Sequence, residues 1–463
     1  MRAMSPADRH CIHLYDSTLM RTVPILMLVT TAAFAQAPLS LKDAVATALA
    51  KHPSIEAASA RVKAAEARID QARGGRLPKL NYQESWQRSN NPVFVFSSLL
   101  TQHQFTEDNF ALGPLNRPEA INNFQSIVSV DQTIYDGRQI STQIRSAELG
   151  KTMTREEERG AQMNVIAGVV RTYYGAVLAQ ASLEVAREAV KSAEADLQRA
   201  ESVLAAGMAT QADVLAIRVH LAAMREQQIR RRYDLEVARA ALNEALGLPL
   251  DEPHDLATPL TELAKLDAAA ADFEKHAEAE RPDLREANLM TQLAQTQVSG
   301  AKGSLLPQVG FRGMFEADRQ QFVNKGGANW LVGATLKWNL FDGNTNRARI
   351  REASESLASA RKQQEQLDRG IKLQVRKAWA DYQSSRERVD VAAAAVSQAE
   401  ESLRIIKDRY DNGLTTTTVL LRSETALLEA RTRRLAALYD VRVAAAALHQ
   451  TAGILTGDSD VLK

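Results

Sequence analysis

Ala72-Arg73-Gly74-Gly75-Arg76-Leu77-Pro78 returns as Ala301-Lys302-Gly303-Ser304-Leu305-Leu306-Pro307, and this echo decides how the chain is read. Upstream, Lys51-His52-Pro53-Ser54-Ile55-Glu56-Ala57 is matched by Glu280-Arg281-Pro282-Asp283-Leu284-Arg285-Glu286, and both proline pairs are 229 residues apart. Downstream, Ile134-Tyr135-Asp136-Gly137 matches Leu340-Phe341-Asp342-Gly343, Gly207 matches Gly413 and Gly247 matches Gly453, all at an offset of 206. Constant offsets on both sides mean that one unit is written twice. The first copy holds 23 more residues between its proline and its Asp-Gly pair. They fall in Asn90 to Asn123, a polar and aromatic stretch with Pro92, Pro114 and Pro118 that reads as an enlarged loop.

Each copy has the same order of parts. A short amphipathic helix ends at Gly74 or Gly303, where a left-handed cap is expected. Leu77-Pro78 or Leu306-Pro307 opens a pair of strands, and Asp136-Gly137 or Asp342-Gly343 closes it. A very long helix follows, Arg138 to Ala206 in the first copy and Asn344 to Asp411 in the second, with no proline anywhere after Pro307. In the second, Val375, Ala378, Tyr382, Ser385, Val389, Ala392, Val396, Ala399, Leu403, Ile406 and Tyr410 step by three and four without a break, the spacing of a coiled-coil seam. At 1.5 Å per residue such a helix is a rod of roughly 100 Å. Each rod ends in a glycine turn, Gly207-Met208-Ala209-Thr210 or Gly413-Leu414-Thr415-Thr416, and a return helix starts at the threonines and runs to about Leu246 or Ala452. The expected divisions are 1–35, a first repeat 36–248, a connector 249–266 with Pro249, Pro253 and Pro259, a second repeat 267–453 and a tail 454–463. The heptads alone are equally those of an inert coiled-coil spacer.

The strands carry a different signal. Between Asn329 and Phe341 the even positions are Trp330, Val332, Ala334, Leu336, Trp338 and Leu340, and the odd ones include Gly333, Thr335, Lys337 and Asn339. In the first copy Val128, Val130 and Ile134 oppose Ser129, Asp131 and Thr133. Of the 22 Trp, Tyr and Phe after residue 35, 14 lie in 77–137 and 304–343, so the aromatics concentrate on the strands. Tyr82, Trp86, Tyr135, Phe311, Phe315, Trp330 and Trp338 are candidates for the aromatic belt of a transmembrane barrel. The alternative is an ordinary sheet with one face against helices. Four strands cannot close a barrel in lipid, so a membrane reading requires strands pooled from several protomers, eight from two or twelve from three.

The rest of the chain sets limits. Met20 to Ala35 has Arg21, an apolar run from Val23 to Thr30 and Ala33-Phe34-Ala35, the pattern of a secretory signal with cleavage expected after Ala35. Residues 1–19 read as an over-long start or an extended n-region and hold the single cysteine, Cys11. Past the signal no apolar run of 18 residues occurs, so a membrane span has to use strands. Basic and acidic residues balance, 57 to 56 over the chain, which argues against nucleic acid as a partner. Past the signal the chain shows no phosphate-binding loop, no nucleophile elbow and no clustered His or Met, so no catalytic residue, cofactor or metal ligand is assigned.

With these parts the chain resembles the TolC-type outer-membrane efflux proteins. The resemblance spans residues 38–456 and rests on Leu39-Ser40-Leu41-Lys42-Asp43-Ala44-Val45 with its Ser40/Asp43 cap, the two Gly-x-x-Leu-Pro segments, the two Asp-Gly strand exits and the two glycine tips. It implies a mainly α fold with a transmembrane β part: a homotrimer whose long antiparallel coiled coils form an α-barrel under a 12-stranded β-barrel, four strands per protomer. It implies a passive channel of a tripartite efflux or type I secretion system in the outer membrane, with a long periplasmic extension. The implied partners are a periplasmic adaptor and an inner-membrane pump, and no enzyme chemistry is implied. Asp213 and Tyr410 fall where the family places an acid and a tyrosine that hold neighbouring coils, which suggests a hydrogen-bonded latch; Asp213 is equally a helix-start charge favoured by the dipole. Gly207, Met208, Ala209, Gly413, Leu414 and Thr415 are the candidate adaptor contacts. Val419, Arg422 and Thr415 stand where some members carry acidic, acidic and basic residues, so a second acidic ring is not implied. The rival readings are a periplasmic adaptor and a soluble coiled-coil scaffold.

Overall fold

The computed structural model describes residues 38–462 except 267 and 325. The signal-like segment, its cleavage site and Cys11 lie outside the described residues. In chain order come α1 (Leu41–Lys51), α2 (Pro53–Gly74), β1 (Lys79–Ser89), α3 (Pro92–Thr101), α4 (Leu112–Asn116), β2 (Ile121–Tyr135), α5 (Gln139–Ala205), α6 (Gln211–Leu246), α7 (Ala270–Glu280), α8 (Pro282–Gly303), β3 (Gln308–Arg319), β4 (Gly327–Lys337), α9 (Thr345–Asp411) and α10 (Thr417–Thr451). Both offsets reappear at the element boundaries. α1 and α2 stand 229 residues before α7 and α8, and α5 stands 206 before α9, each of these two rods being 67 residues long.

Local chemistry fixes the breaks. Ser40 caps α1: its hydroxyl accepts from Asp43 N at 3.1 Å and donates to the Asp43 carboxylate at 2.6 Å. Pro53 and Pro282 each take the first position of a new helix, where a missing N–H costs nothing. The left-handed cap expected at Gly74 and Gly303 is not formed: the residues that follow them, Gly75 and Ser304, are right-handed, with φ of −61° and −65°. At Gly303 the requirement is close approach, since a Cβ there would sit 2.1 Å from the Gly137 carbonyl oxygen. The left-handed residues lie instead at the strand exits, Gly137-Arg138 and Gly343-Asn344. There Asp136 and Asp342 accept hydrogen bonds from Ile140 N and Asn346 N and so cap the two rods.

Every residue of the heptad seam from Val375 to Tyr410 is buried or half-buried. The seam packs α9 against α10, and α5 packs against α6 in the same antiparallel way. The main core is a belt around mid-rod, built on Leu41, Val45, Tyr173, Tyr174, Leu246, Phe273, Ile371, Val375, Tyr382, Leu448 and Leu455. Two of its tyrosines, Tyr173 and Tyr382, bond to the connector. Tyr173 OH accepts from Thr258 N and donates to Leu39 O, and Tyr382 OH accepts from Leu266 N.

The sheet order is β1-β2-β3-β4, antiparallel throughout. The register places Tyr82, Val128, Phe315 and Trp330 in one row and Leu80, Val130, Gly313 and Val332 in the next. A bulge between Thr133 and Tyr135 moves Tyr135 onto the same face, opposite Val309 and Leu336. The other face is mainly polar, with Arg312 bound to Asp131 at 2.6 Å and Asn123 bound to Asp318 at 2.6 Å. The last strand stops at Lys337, short of the expected Phe341. Its partner begins at Gln308, and Pro307 has no N–H to extend the ladder.

The enlarged loop is not irregular throughout. It contains α3 and α4, and Asn123 already belongs to β2. The segment is strapped to the polar face: buried Gln102 donates to Asn122 O and to Asn123 Oδ1, and Gly327 is held so close to Thr101 that a Cβ would lie 1.8 Å from its carbonyl oxygen.

Candidate gate and membrane face

Both rods end in the same hydrogen-bonded turn. Gly207 N donates to Leu204 O and Met208 N to Val203 O; Gly413 N donates to Tyr410 O and Leu414 N to Arg409 O. This six-to-one, five-to-two pattern needs a left-handed residue, and Gly207 and Gly413 supply it at φ of +73° and +71°. The apolar residue that follows such a turn ordinarily packs back onto its helix. Here Met208 and Leu414 remain 76% and 66% exposed, so each hairpin ends in an apolar knob. Ala209 and Thr415 beside them are half-buried.

The return helices start differently. Thr210 and Asp213 form a reciprocal capping box on α6, while Thr416 of α10 makes no side-chain cap and Val419, in the place of Asp213, has no carboxylate to return a bond. The free oxygen of Asp213 is used across the repeat: Thr417 Oγ1 donates to Asp213 Oδ1 at 2.7 Å. Tyr410 does not reach Asp213 directly. Its hydroxyl lies 3.4 Å from Thr417 Oγ1, and since that oxygen has given its proton to Asp213, Tyr410 is the donor. The hydrogen bond from Thr210, then that from Thr417, hold the Asp213 carboxyl below its ordinary range. Thr417 was not legible in the sequence, because its counterpart in the first repeat is Gln211 and no motif marks it. Arg199 adds an ion pair with Asp411 between the two rods, at 2.8 Å.

The aromatic residues of the sheet fall at distinct levels. Tyr82, Phe315 and Trp330 share one row; Trp86 packs against Phe124 beyond it; Phe311 lies nearer the helices, and Tyr135 lies at the helical end. Trp338 follows the strand, its indole N–H donating to Leu305 O at 3.1 Å. Trp330 and Tyr82 are 78% and 68% exposed, so this apolar face has no partner among the described residues. Among the described residues no helix is long and apolar enough to cross a membrane, and no three His, Cys, Asp or Glu side chains converge as a metal site would.

A doubled helical rod continuous with a four-stranded sheet, apolar on one face and polar on the other, is matched over residues 44–248 and 275–454 by the sequence pattern of the outer membrane efflux protein family. The chain belongs to that family. It is an outer-membrane efflux channel protein and not an enzyme. The alkaline protease secretion protein AprF of Pseudomonas aeruginosa is 26% identical over 93% of this chain and 87% of its own length. The outer membrane efflux protein BepC of Brucella suis is 23% identical over 72% of each chain. The crystal structure of the Campylobacter jejuni CmeC outer membrane channel superposes with a TM-score of 0.76 at 17% identity, covering 91% of this chain and 87% of that one.

Proposed function

We propose that three copies of this chain pool their sheets into one twelve-stranded barrel, and that the hairpin tips form its periplasmic entrance. The observation that carries this is the sheet itself: among the described residues β1 and β4 each leave one edge unpaired, beside an exposed apolar face. An open edge is not tolerated in lipid, so the edges pair with those of other copies. Two copies would give eight strands, whose interior side chains fill, whereas twelve leave room for a conduit. Exposed Leu215, Val219, Ile229, Tyr233 and Val237 on α6 support helix contacts between copies as well.

Asp213, Thr417 and Tyr410 hold the entrance shut. The knobs Met208 and Leu414, with Gly207, Ala209, Gly413 and Thr415, receive a periplasmic adaptor whose docking spreads the tips. An inner-membrane pump supplies the energy. A protease secretion protein and an efflux protein share this family, which supports a passive tube whose cargo is chosen by the pump. Conductance of the purified protein in planar bilayers tests the reading: low conductance that rises when the tip latch is cut is expected, and absence of any pore would overturn it.

A further inference from the structure

The two hairpins meet a second time above the tips, in a buried cluster to which all four long helices contribute one ionisable side chain. Lys407 Nζ of α9 lies 3.3 Å from Asp196 Oδ2 of α5, 3.2 Å from Glu424 Oε1 of α10 and 3.0 Å from Ser192 Oγ. Ser192 donates to Glu424 Oε1 at 3.0 Å, and His220 Nε2 of α6 lies 3.4 Å from Glu424 Oε2. Asp196 and Glu424 are 5% and 9% exposed. The repeat shows that this is not a surface pair that happens to be covered. At the 206 offset, Lys407 and Glu424 correspond to Glu201 and Arg218, which form an exposed bridge of opposite polarity at 2.7 Å on the first hairpin.

The charges do not balance by themselves. Two carboxylates and one ammonium leave one negative charge in a buried place, and one bound proton cancels it. Flanking groups do not supply the missing charge, being paired among themselves. Arg431 of α10 holds Glu188 of α5 and Glu400 of α9, Arg225 of α6 holds Glu194 of α5, and Arg199 of α5 holds Asp411 of α9. A cavity of about 210 Å³, lined by Ser192, His220, Met224, Leu403, Glu424 and Leu428 among others, gives water a route to the cluster.

We propose that Asp196, His220, Lys407 and Glu424 form a proton-dependent catch between the hairpins, closed while one proton is shared in the cluster and loosened when that proton leaves. Burial, then the neighbouring Glu424, push the Asp196 carboxyl up to about 7. Glu424, which burial alone would raise, is brought down to about 2 by hydrogen bonds from His220 and Asp196 and by Lys407. A raised carboxyl on Asp196 makes the closed cluster hold a proton that the separated helices release, while the lowered Glu424 regains a proton on separation below about pH 5 and opposes this there. The closed cluster therefore binds more protons than the separated helices between roughly pH 5 and 7, and the contact weakens as pH rises through that window.

The effect on conductance rests on the pore reading above, whereas the catch itself is read from hydrogen exchange. Exchange of segments 192–200 and 403–411, corrected for the intrinsic pH dependence, is expected to show opening that increases up to about tenfold per pH unit toward pH 7 and then levels off. Asp196→Asn, which imitates the protonated acid, is expected to hold the low-pH opening at every pH, and His220→Gln to retain the rise. Wild-type conductance should follow the same curve. Opening that is independent of pH in the wild type, or that rises equally in Asp196→Asn, would overturn the catch. Exchange that follows pH in a protein forming no pore would keep the catch and overturn the channel reading.

Discussion

The Thr417 hydroxyl donates to Asp213 Oδ1 at 2.7 Å and thereby joins the first turns of the two return helices. Asp213 alone would read as the acid of a capping box; with Thr417 it is also the link between hairpins. Thr417→Val should raise conductance of the isolated channel as Asp213→Ala does, and Thr417→Ser should not. Tyr410→Phe should act in the same direction with smaller effect, because its hydroxyl reaches only Thr417, at 3.4 Å. Unchanged single-channel conductance in both Asp213→Ala and Tyr410→Phe would remove the latch.

The same carboxylate gives a pH sign opposite to that of Asp196. Hydrogen bonds from Thr210 and Thr417 lower the Asp213 carboxyl, so its contacts are fully present above the ordinary Asp range near pH 4 and are lost as pH falls below it. As pH falls below about 4, conductance should therefore rise in the wild type and stay flat in Asp213→Asn. A wild-type channel that does not respond below pH 4 would contradict this role.

Gly303 and Gly74 are repeat partners in sequence and not in environment. A methyl group at Gly303 meets the Gly137 carbonyl oxygen at 2.1 Å, so Gly303→Ala should destabilise by about 1–3 kcal/mol through overpacking at the strand-to-rod junction. Gly74 has nothing within 4 Å and ends a helix, so Gly74→Ala should stabilise by about 0.4–1 kcal/mol. Thermal unfolding in detergent checks both, and shifts of one sign would contradict the distinction.

Neighbouring residues of β4 face opposite sides. Val332 shares its row with Leu80 and Val130, whereas Leu331 shares one with Met314 and Ser129 on the polar side. Val332→Arg should cost about 2–4 kcal/mol of barrel stability, as a charge placed near mid-bilayer does, and Leu331→Arg should cost far less. The yield of assembled protein in outer membranes measures the difference. Equal loss from both would show that the sheet is not apolar-out.

The large features were legible because they repeat or are periodic. The offsets of 229 and 206 are carried by prolines and glycines with fixed backbone duties, and the seam from Val375 to Tyr410 carries helical spacing. The pairing faces of β1 to β4 follow from period-two alternation, except at Tyr135, which only the bulge moves across. What stayed hidden depends on partners far away in sequence. Asp196, His220, Lys407 and Glu424 lie on four separate helices with no motif joining them, and only the packing of α5, α6, α9 and α10 brings them together. Thr417 and Gln102 are ordinary polar residues until the other repeat, or strand β2, supplies their partner. The glycine pattern misled at Gly303, where glycine marks close approach instead of a left-handed turn, and at Gly74, which has neither a positive φ nor a neighbour within 4 Å of an added Cβ.

The most direct measurement is the detergent-corrected mass of the protein extracted from outer membranes, by density-gradient fractionation and light scattering. Three chains per particle in the outer-membrane fraction is the expected result, since three copies close the open edges of β1 and β4 around a conduit. A monomer, or recovery in the soluble fraction, would contradict it, because an unpaired four-stranded sheet cannot form a channel through lipid.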